Sequence, residues 1–347
     1  MRIERWDPAD ETIAEACHEV QVAAHLADEA DDPPFSAGTF ALYLRQGFDK
    51  TPGEVWFAAD DEGGVVGYYR MQLYDLENLD RAGGGPVVHP AVRRGGYGRA
   101  LLRHEAARAA ANGRSVLSAQ VVSGSAGEAF AAAVSAKPGL VEARRVQYLA
   151  KIDAGRVAEL RGSAARAAAG YSLVSWTGDI PDQHLAPLAH VVNAFEDAPH
   201  GENVQPESWD AARLRERTGA HVRAGLLRNH SVAALYDATG EMAAYTGVIV
   251  DPEAPSWGFQ ELTAVTRSHR GHRLGLLVKT AMLELLAETE PQLEFIMTSN
   301  AAANDHMIAV NEQLGYEVAG PGWRYYDAPV ADLLGQSQNA QSQTAQS

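Results

Sequence analysis

Hydrophobic and polar residues follow one another in the same way at two places in the chain. WFAADDEGGVVGYYRMQL and VAALYDATGEMAAYTGVIV each pass from an apolar run through a short polar turn containing glycine into a second apolar run, which predicts a β-hairpin. A third strand follows, ending at Val88 or Val265, and then a loop bearing arginine and glycine opens a helix. In the later copy Leu274, Leu277, Val278, Ala281, Met282, Leu285 and Leu286 keep i, i+3, i+4 spacing, which predicts an amphipathic helix. The earlier counterpart, from about Tyr97 to Ala111, has a thinner apolar stripe but is rich in alanine and forms a helix readily.

These parallels amount to an internal repeat. Asp60, Gly63, Tyr68, Val88, Arg93 and Gly98 recur as Asp237, Gly240, Tyr245, Val265, Arg270 and Gly275, each 270 − 93 = 177 positions on, without a gap. A chain of 347 residues also exceeds one ordinary core. The expected organisation is a first domain over 1–153, a small-residue linker over 154–170, a second domain over 171–334, and a disordered tail over 335–347, where GQSQNAQSQTAQS offers almost nothing to bury.

Composition narrows the setting. Hydrophobic residues at 46% and charged residues at 21% are ordinary for a globular chain. Cys17, the single cysteine, cannot form an intrachain disulfide, no Cys/His set has metal-site spacing, and no apolar leader or membrane span stands out, so a cytoplasmic protein without metal is expected. The formal charge of −16 disfavours nucleic acid and anionic membrane as partners and favours a cationic amine, although an acidic surface also serves solubility alone.

The loop VVHPAVRRGGYGRALL sets Arg93, Arg94, Gly95, Gly96, Tyr97, Gly98 and Arg99 between a strand end and a helix start. Unpaired N–H groups there, with the helix dipole behind them, suit a diphosphate, while glycine permits close approach and arginine adds charge. The second copy, HRGHRLGLLVKTAM, repeats the arrangement with Arg270, Gly271, His272, Arg273, Leu274 and Gly275. The spacing fits neither G-x-G-x-x-G nor a P-loop, and the pair His269 and His272 lacks a third metal ligand.

Both loops resemble the coenzyme A motif Q/R-x-x-G-x-G/A of the GNAT (GCN5-related N-acetyltransferase) superfamily. Arg93 to Gly98 match every specified position, and in the second copy Arg273 stands where the first glycine belongs. TSNAAANDHMIAVNEQLGYEV is similar to the family's fifth strand, following helix and closing turn. The resemblance implies an α/β (α+β) chain of two tandem GNAT domains, each a mixed, mostly antiparallel sheet flanked by helices, like those of actinobacterial two-domain members. It implies acetyl-CoA as co-substrate, with Val88, Thr263 and Val265 beside the pantetheine arm. Asn300 and Asn304 are expected near the same arm, or equally as turn and helix caps.

Amide formation from a thioester needs a neutral amine, a polarised carbonyl and a proton for the thiolate. On the second copy's strand Phe259, Glu261, Thr263 and Val265 are expected to alternate onto one face, making Glu261 the first choice of general base. Its counterpart in the first copy is Gly84, in a GGGP run with no carboxylate, which favours the second domain as catalytic and the first as degenerate. Asp197, with Glu202, would attract the amine if the loop FEDAPHGE overhangs the site. The tyrosine that family members often use as general acid is replaced here by Asn311, which leaves Tyr316, Tyr325, Tyr326 or water. The leading expectation is an N-acetyltransferase acting on a primary amine of a small molecule; the alternatives are a non-catalytic acyl-CoA sensor and a transferase drawing on aminoacyl-tRNA. The acceptor, and the choice between monomer and homodimer, are left open.

Overall fold

The computed structural model describes residues 1–29, 31–195 and 204–335. The first copy runs β1 (Arg2–Arg5), α1 (Glu11–Asp28), α2 (Ala37–Gln46), β2 (Gly53–Ala59), β3 (Val65–Leu73), β4 (Arg81–Gly83), β5 (Val87–Val88), α3 (Tyr97–Ala111), β6 (Val116–Val122), α4 (Ala126–Ala133) and β7 (Lys137–Tyr148). The second runs α5 (Ala154–Ala167), β8 (Tyr171–Thr177), α6 (Asp182–Phe195), α7 (Ala211–Arg217), α8 (Ala220–Arg223), β9 (Arg228–Tyr236), β10 (Met242–Val250), β11 (Trp257–Val265), α9 (Leu274–Thr289), β12 (Phe295–Ala301), α10 (Asp305–Gln313), β13 (Tyr316–Val318) and β14 (Trp323–Pro329). The hairpins lie where the pattern placed them. Asp60 closes the first by accepting hydrogen bonds from the N–H groups of Glu62 and Gly64, and Gly63 takes the left-handed conformation its turn requires.

The chain forms two compact units. One comprises Met1–Val141, a short stretch about Gln205 and the segment from Pro321 onward; the other comprises the rest, from Glu142. The repeat suggests cuts at 153 and 171, but the units are drawn differently because the closing strands are exchanged. In the first unit β1, β2, β3 and β4 pair antiparallel, β6 adds parallel to β4, and the strand closing the sheet against β6 is β14, from the far end of the chain. In the second unit β8 to β11 pair antiparallel and β12 adds parallel to β11. The sheet is closed by residues 142–148 of β7, which follows the first copy in sequence.

Each sheet carries a core on both faces. In the first unit α3 and α4 cover Tyr69, Met71 and Ala82, while α1 and α2 cover Phe57 and Tyr68. In the second, α9 and α10 cover Val232, Ala244 and Val248, while α6 and α7 cover Ala233, Tyr245 and Ala264. The stretch 154–170, expected as a linker, is largely α5. Asp153 caps it through the Arg156 N–H, and Leu160, Ala164 and Ala168 pack into the same core as α9. That cover explains why α9 is buried beyond its predicted stripe, at Leu276 and Thr280 as well as Leu277 and Val278. Most of the tail, 336–347, lies outside the described residues, and the last described part of 335–347 ends a helical turn at 330–335. Among the described residues no helix is long and apolar enough to cross a membrane, and no group of three or more His, Cys, Asp or Glu side chains could hold a metal ion.

Candidate active site

The two glycine-bearing loops have the same backbone. Arg94 and its counterpart Gly271 are left-handed, with φ of 70° and 89°, and so are Gly96 and its counterpart Arg273, with φ of 89° and 55°. Arg273 therefore adopts the conformation that glycine would take at that position. A Cβ built on Gly96 meets nothing within 4 Å, which is why a side chain can stand there. Tyr97, Gly98 and Arg99, like Leu274 and Gly275, occupy the first helical turn, whose N–H groups have no intrahelical acceptor.

The arginines behave differently from a simple cationic rim. Arg93 donates from Nε to the Val88 carbonyl and from both terminal nitrogens to Asp28, at 2.9 and 2.7 Å, so it braces the loop against the strand end and α1. Arg270 repeats the contact to the strand end, Nε to the Val265 carbonyl. Arg94 and Arg99 stand exposed at the first loop, beside Gly95 and Gly96. At the second, Arg273 donates to Ser163 of α5 at 2.8 Å and to Gln313 of α10 at 3.4 Å, so its side chain lies across the N-terminal end of α9. His272 turns back toward the His269 carbonyl, and His269 is enclosed by Tyr171, Tyr236 and Glu241.

Beyond each loop the sheet opens. β11 pairs with β12 only from Trp257 to Phe259, so the stretch through Thr263 and Val265 diverges from its parallel neighbour. In the first unit β4 pairs with β6 only over Arg81–Gly83, and Val88 lies in β5, paired back to Gly67 of β3. Each wedge exposes strand backbone beside a helix N-terminus. That combination fits a long, hydrogen-bonding thioester with a diphosphate at its far end, such as coenzyme A.

A bulge in β11 changes the alternation predicted for it. Thr246 pairs with Thr263 but Val248 pairs with Gln260, so one extra residue lies between. Phe259, opposite Ile249, shares a face with Glu261. Thr263 turns the other way, toward α9, where its hydroxyl meets that of Thr246 at 2.7 Å, and Val265 packs on the α9 core. Glu261 thus faces α6, near Tyr245; a Cβ on Gly247 would lie 2.7 Å from Tyr245 Oη and 3.4 Å from Glu261 Oε2. The Glu261 side chain remains open to solvent, yet the protein around it pushes its carboxyl up to about 7. Solvent contact limits that rise, so its direction, toward a base poised near neutral pH, is what the site can use. Tyr245 shifts in the same direction: burial and then the Glu261 charge raise its phenol, and its hydroxyl pairs with Ser231 at 3.0 Å.

Tyr316 lies on the opposite face, buried in the α9 core, with the Lys279 ammonium 4.7 Å from its ring centroid. Glu261 and Tyr316 are therefore not brought together. Asn300 accepts from Asn311 at 2.8 Å, so the asparagine at the expected tyrosine position is tied to β12. Asn304 caps α10 through the Met307 N–H. Tyr325 pairs with Gln120 and Tyr326 with Glu128, both in the first unit. Asp197 and Glu202 lie outside the described residues.

Lys279 and Glu105 are among the buried ionisable groups that escaped the sequence. Lys279, one helical turn into α9, donates to Gln260 Oε1 at 3.0 Å, and burial pushes its pKa down to about 7. Its signal was a lysine inside an otherwise apolar helical stripe. Glu105 of α3 has no exposed surface, and burial raises its carboxyl to about 8. It stands beneath the glycine run that, on the strand alone, supplied no carboxylate.

The comparisons with known proteins agree with this geometry. A family model for an acetyltransferase (GNAT) domain matches residues 52–133. A solved tandem GNAT protein from the clavulanic acid biosynthesis pathway is 30% identical over 95% of this chain and 98% of its own, with a TM-score of 0.77. A GCN5-related N-acetyltransferase from Sphaerobacter thermophilus shares the fold at 14% identity, TM-score 0.67, over 95% of both chains. The glucosamine N-acetyltransferase region of a fungal multidomain β-N-acetylglucosaminidase does so at 14% identity and TM-score 0.64, over 94% of this chain and 38% of that one. No curated protein matches significantly by sequence. With two repeated loops, two strand divergences and a full-length relative at that identity, the chain belongs to the GNAT family in its tandem form.

Proposed function

We propose that this protein is an acetyl-CoA-dependent N-acetyltransferase acting on a primary amine of a small molecule, with the chemistry in the second unit. The observation that carries this is Glu261: a carboxyl raised toward neutrality, set by a bulge where β11 leaves β12, open to solvent and beside the Tyr245 hydroxyl. An amine arriving as ammonium gives its proton to Glu261, directly or through water. Backbone N–H groups on the diverging edge of β11 are placed to meet a carbonyl oxygen as it gains charge. Acetyl-CoA supplies the activated acyl group, its diphosphate against the first turn of α9 and its arm along Thr263 and Val265. Tyr316 is buried in the α9 core away from Glu261, so water is the proposed proton source for the departing thiolate, and the net charge of −16 favours a cationic acceptor.

The test is release of free thiol from acetyl-CoA across a panel of small primary amines. Thiol release that depends on the amine and is lost in Glu261→Gln supports the proposal. Binding of acetyl-CoA with no amine-dependent thiol from any member of the panel overturns it in favour of a non-catalytic acyl-CoA sensor.

A further inference from the structure

Glu105 is the buried group that this mechanism leaves unused. It lies on α3, five residues beyond Ala100, and points at the break between β4 and β5. Its Oε1 accepts a hydrogen bond from the Gly85 N–H at 3.1 Å, while Oε2 is buried without a hydrogen-bond partner. With burial holding the acid protonated at neutral pH, the proton belongs on Oε2, since Oε1 already accepts.

The glycines make this approach possible. A Cβ on Gly84 would collide with Glu105 Oε1 and come within 3.0 Å of the Arg70 carbonyl, so no other residue leaves the carboxyl its place. Gly85 in turn takes φ of 140°. In the repeat Gly84 and Gly85 correspond to Glu261 and Leu262, the residues of the β11 bulge. The Gly84 N–H still pairs with Ser118 of β6, so Gly85 carries the first N–H past the point where the strands part, and Glu105 already occupies it.

The other face of the same strands is filled as well. Arg70 stands at the position of Gly247. Its guanidinium donates to the Thr51 carbonyl at 3.0 Å and lies 5.3 Å from the Tyr43 ring centroid. The position left without a side chain beside Glu261 and Tyr245 in the second unit therefore carries an arginine in the first.

We infer that Glu105 is an internal occupant of the carbonyl subsite in the first unit, making that unit a coenzyme A site that discriminates against the acyl group. This rests on the coenzyme A binding proposed above. The first cradle keeps its glycine at position 96, open space around it and the exposed Arg94, so the diphosphate and arm can be held while the thioester finds its donor taken.

Calorimetry on the full chain tests it, in a Gly275→Glu background that sets a carboxylate against a diphosphate in the second cradle. With Glu105 present, acetyl-CoA should bind no more tightly than coenzyme A. Glu105→Ala frees the N–H, and acetyl-CoA should gain about fivefold over coenzyme A, the worth of one neutral hydrogen bond. Glu105→Gln keeps an acceptor on Gly85 and should keep the original ratio. If Glu105→Ala does not fold, Gly84→Ala displaces the carboxyl and should shift the ratio in the same direction. An unchanged ratio in Glu105→Ala or Gly84→Ala overturns the inference, as does tighter binding of acetyl-CoA while Glu105 is intact. Loss of both ligands from every variant with melting curves intact would remove the coenzyme A proposal itself, and this inference with it.

Discussion

The two units share one backbone plan and have divided its parts differently. The first keeps the more open cradle, with Gly96 at the left-handed helix start, but the strands that correspond to those around Glu261 carry Glu105 of α3 on one face and Arg70 on the other. The second has Arg273 lying across its helix start, yet keeps Gly247 bare and sets Glu261 and Tyr245 around it. Duplication preserved the loop geometry at both places, since φ is positive at 94 and 96 and again at 271 and 273. On the proposed function, side chains alone separate a holding site from a reacting one.

Grafting the first unit's filler into the second should break the contrast most completely. Gly247→Arg is expected to abolish amine-dependent thiol release while coenzyme A still binds, read by thiol assay and calorimetry side by side. Next in size, Glu261→Gln should lower turnover by about a hundredfold, the scale of a lost general base, whereas Gly98→Arg in the first cradle should leave turnover near wild type. The reverse result would assign the chemistry to the first unit. Because Glu261 must be ionised to accept a proton and its pKa is raised above the usual carboxylate range, kcat/KM should rise with pH on the acid side of neutrality, and that limb should vanish in Glu261→Gln.

The two cores should also titrate in opposite senses. Glu105 binds its proton more tightly in the folded chain, so its contribution makes stability fall as pH rises from about 4.5 to about 8. Lys279 prefers the neutral form in the folded chain, so its contribution rises from about 7 to about 10.5. Melting curves across pH should lose the fall in Glu105→Gln and the rise in Lys279→Met. The smallest expected effect is that of Arg273→Gly, which removes the side chain across α9 and relieves a left-handed residue. Coenzyme A should bind the second cradle a few-fold tighter, with the melting temperature little changed.

Local chemistry was the part of this fold that could be read in advance. Hairpins whose turns run from an aspartate to a glycine three residues on, the glycine-bearing helix starts and the stripe of α9 are set by residues close in sequence, and they stand where the pattern puts them. What depends on distant partners was hidden. Arg93 reads as a free cation until Asp28 is seen 65 residues away. Glu261 was expected to share a face with Thr263, but period two holds only in unbroken strand, and the bulge shifts it by one. Glu105 was missed because the strand was compared only with the strand, while the carboxyl comes from the helix above it.

The exchange of β7 and β14 also bears on how the chain is made. Trp323–Pro329 leaves the ribosome long after β6, so the N-terminal sheet waits through synthesis of the second copy with β6 as a raw edge. The C-terminal sheet has the opposite fortune, because its closing strand is finished before any of its other strands exists. Expressed halves cut at the apparent repeat boundary would each carry the wrong final strand, and loss of β14 would open the sheet of the first copy.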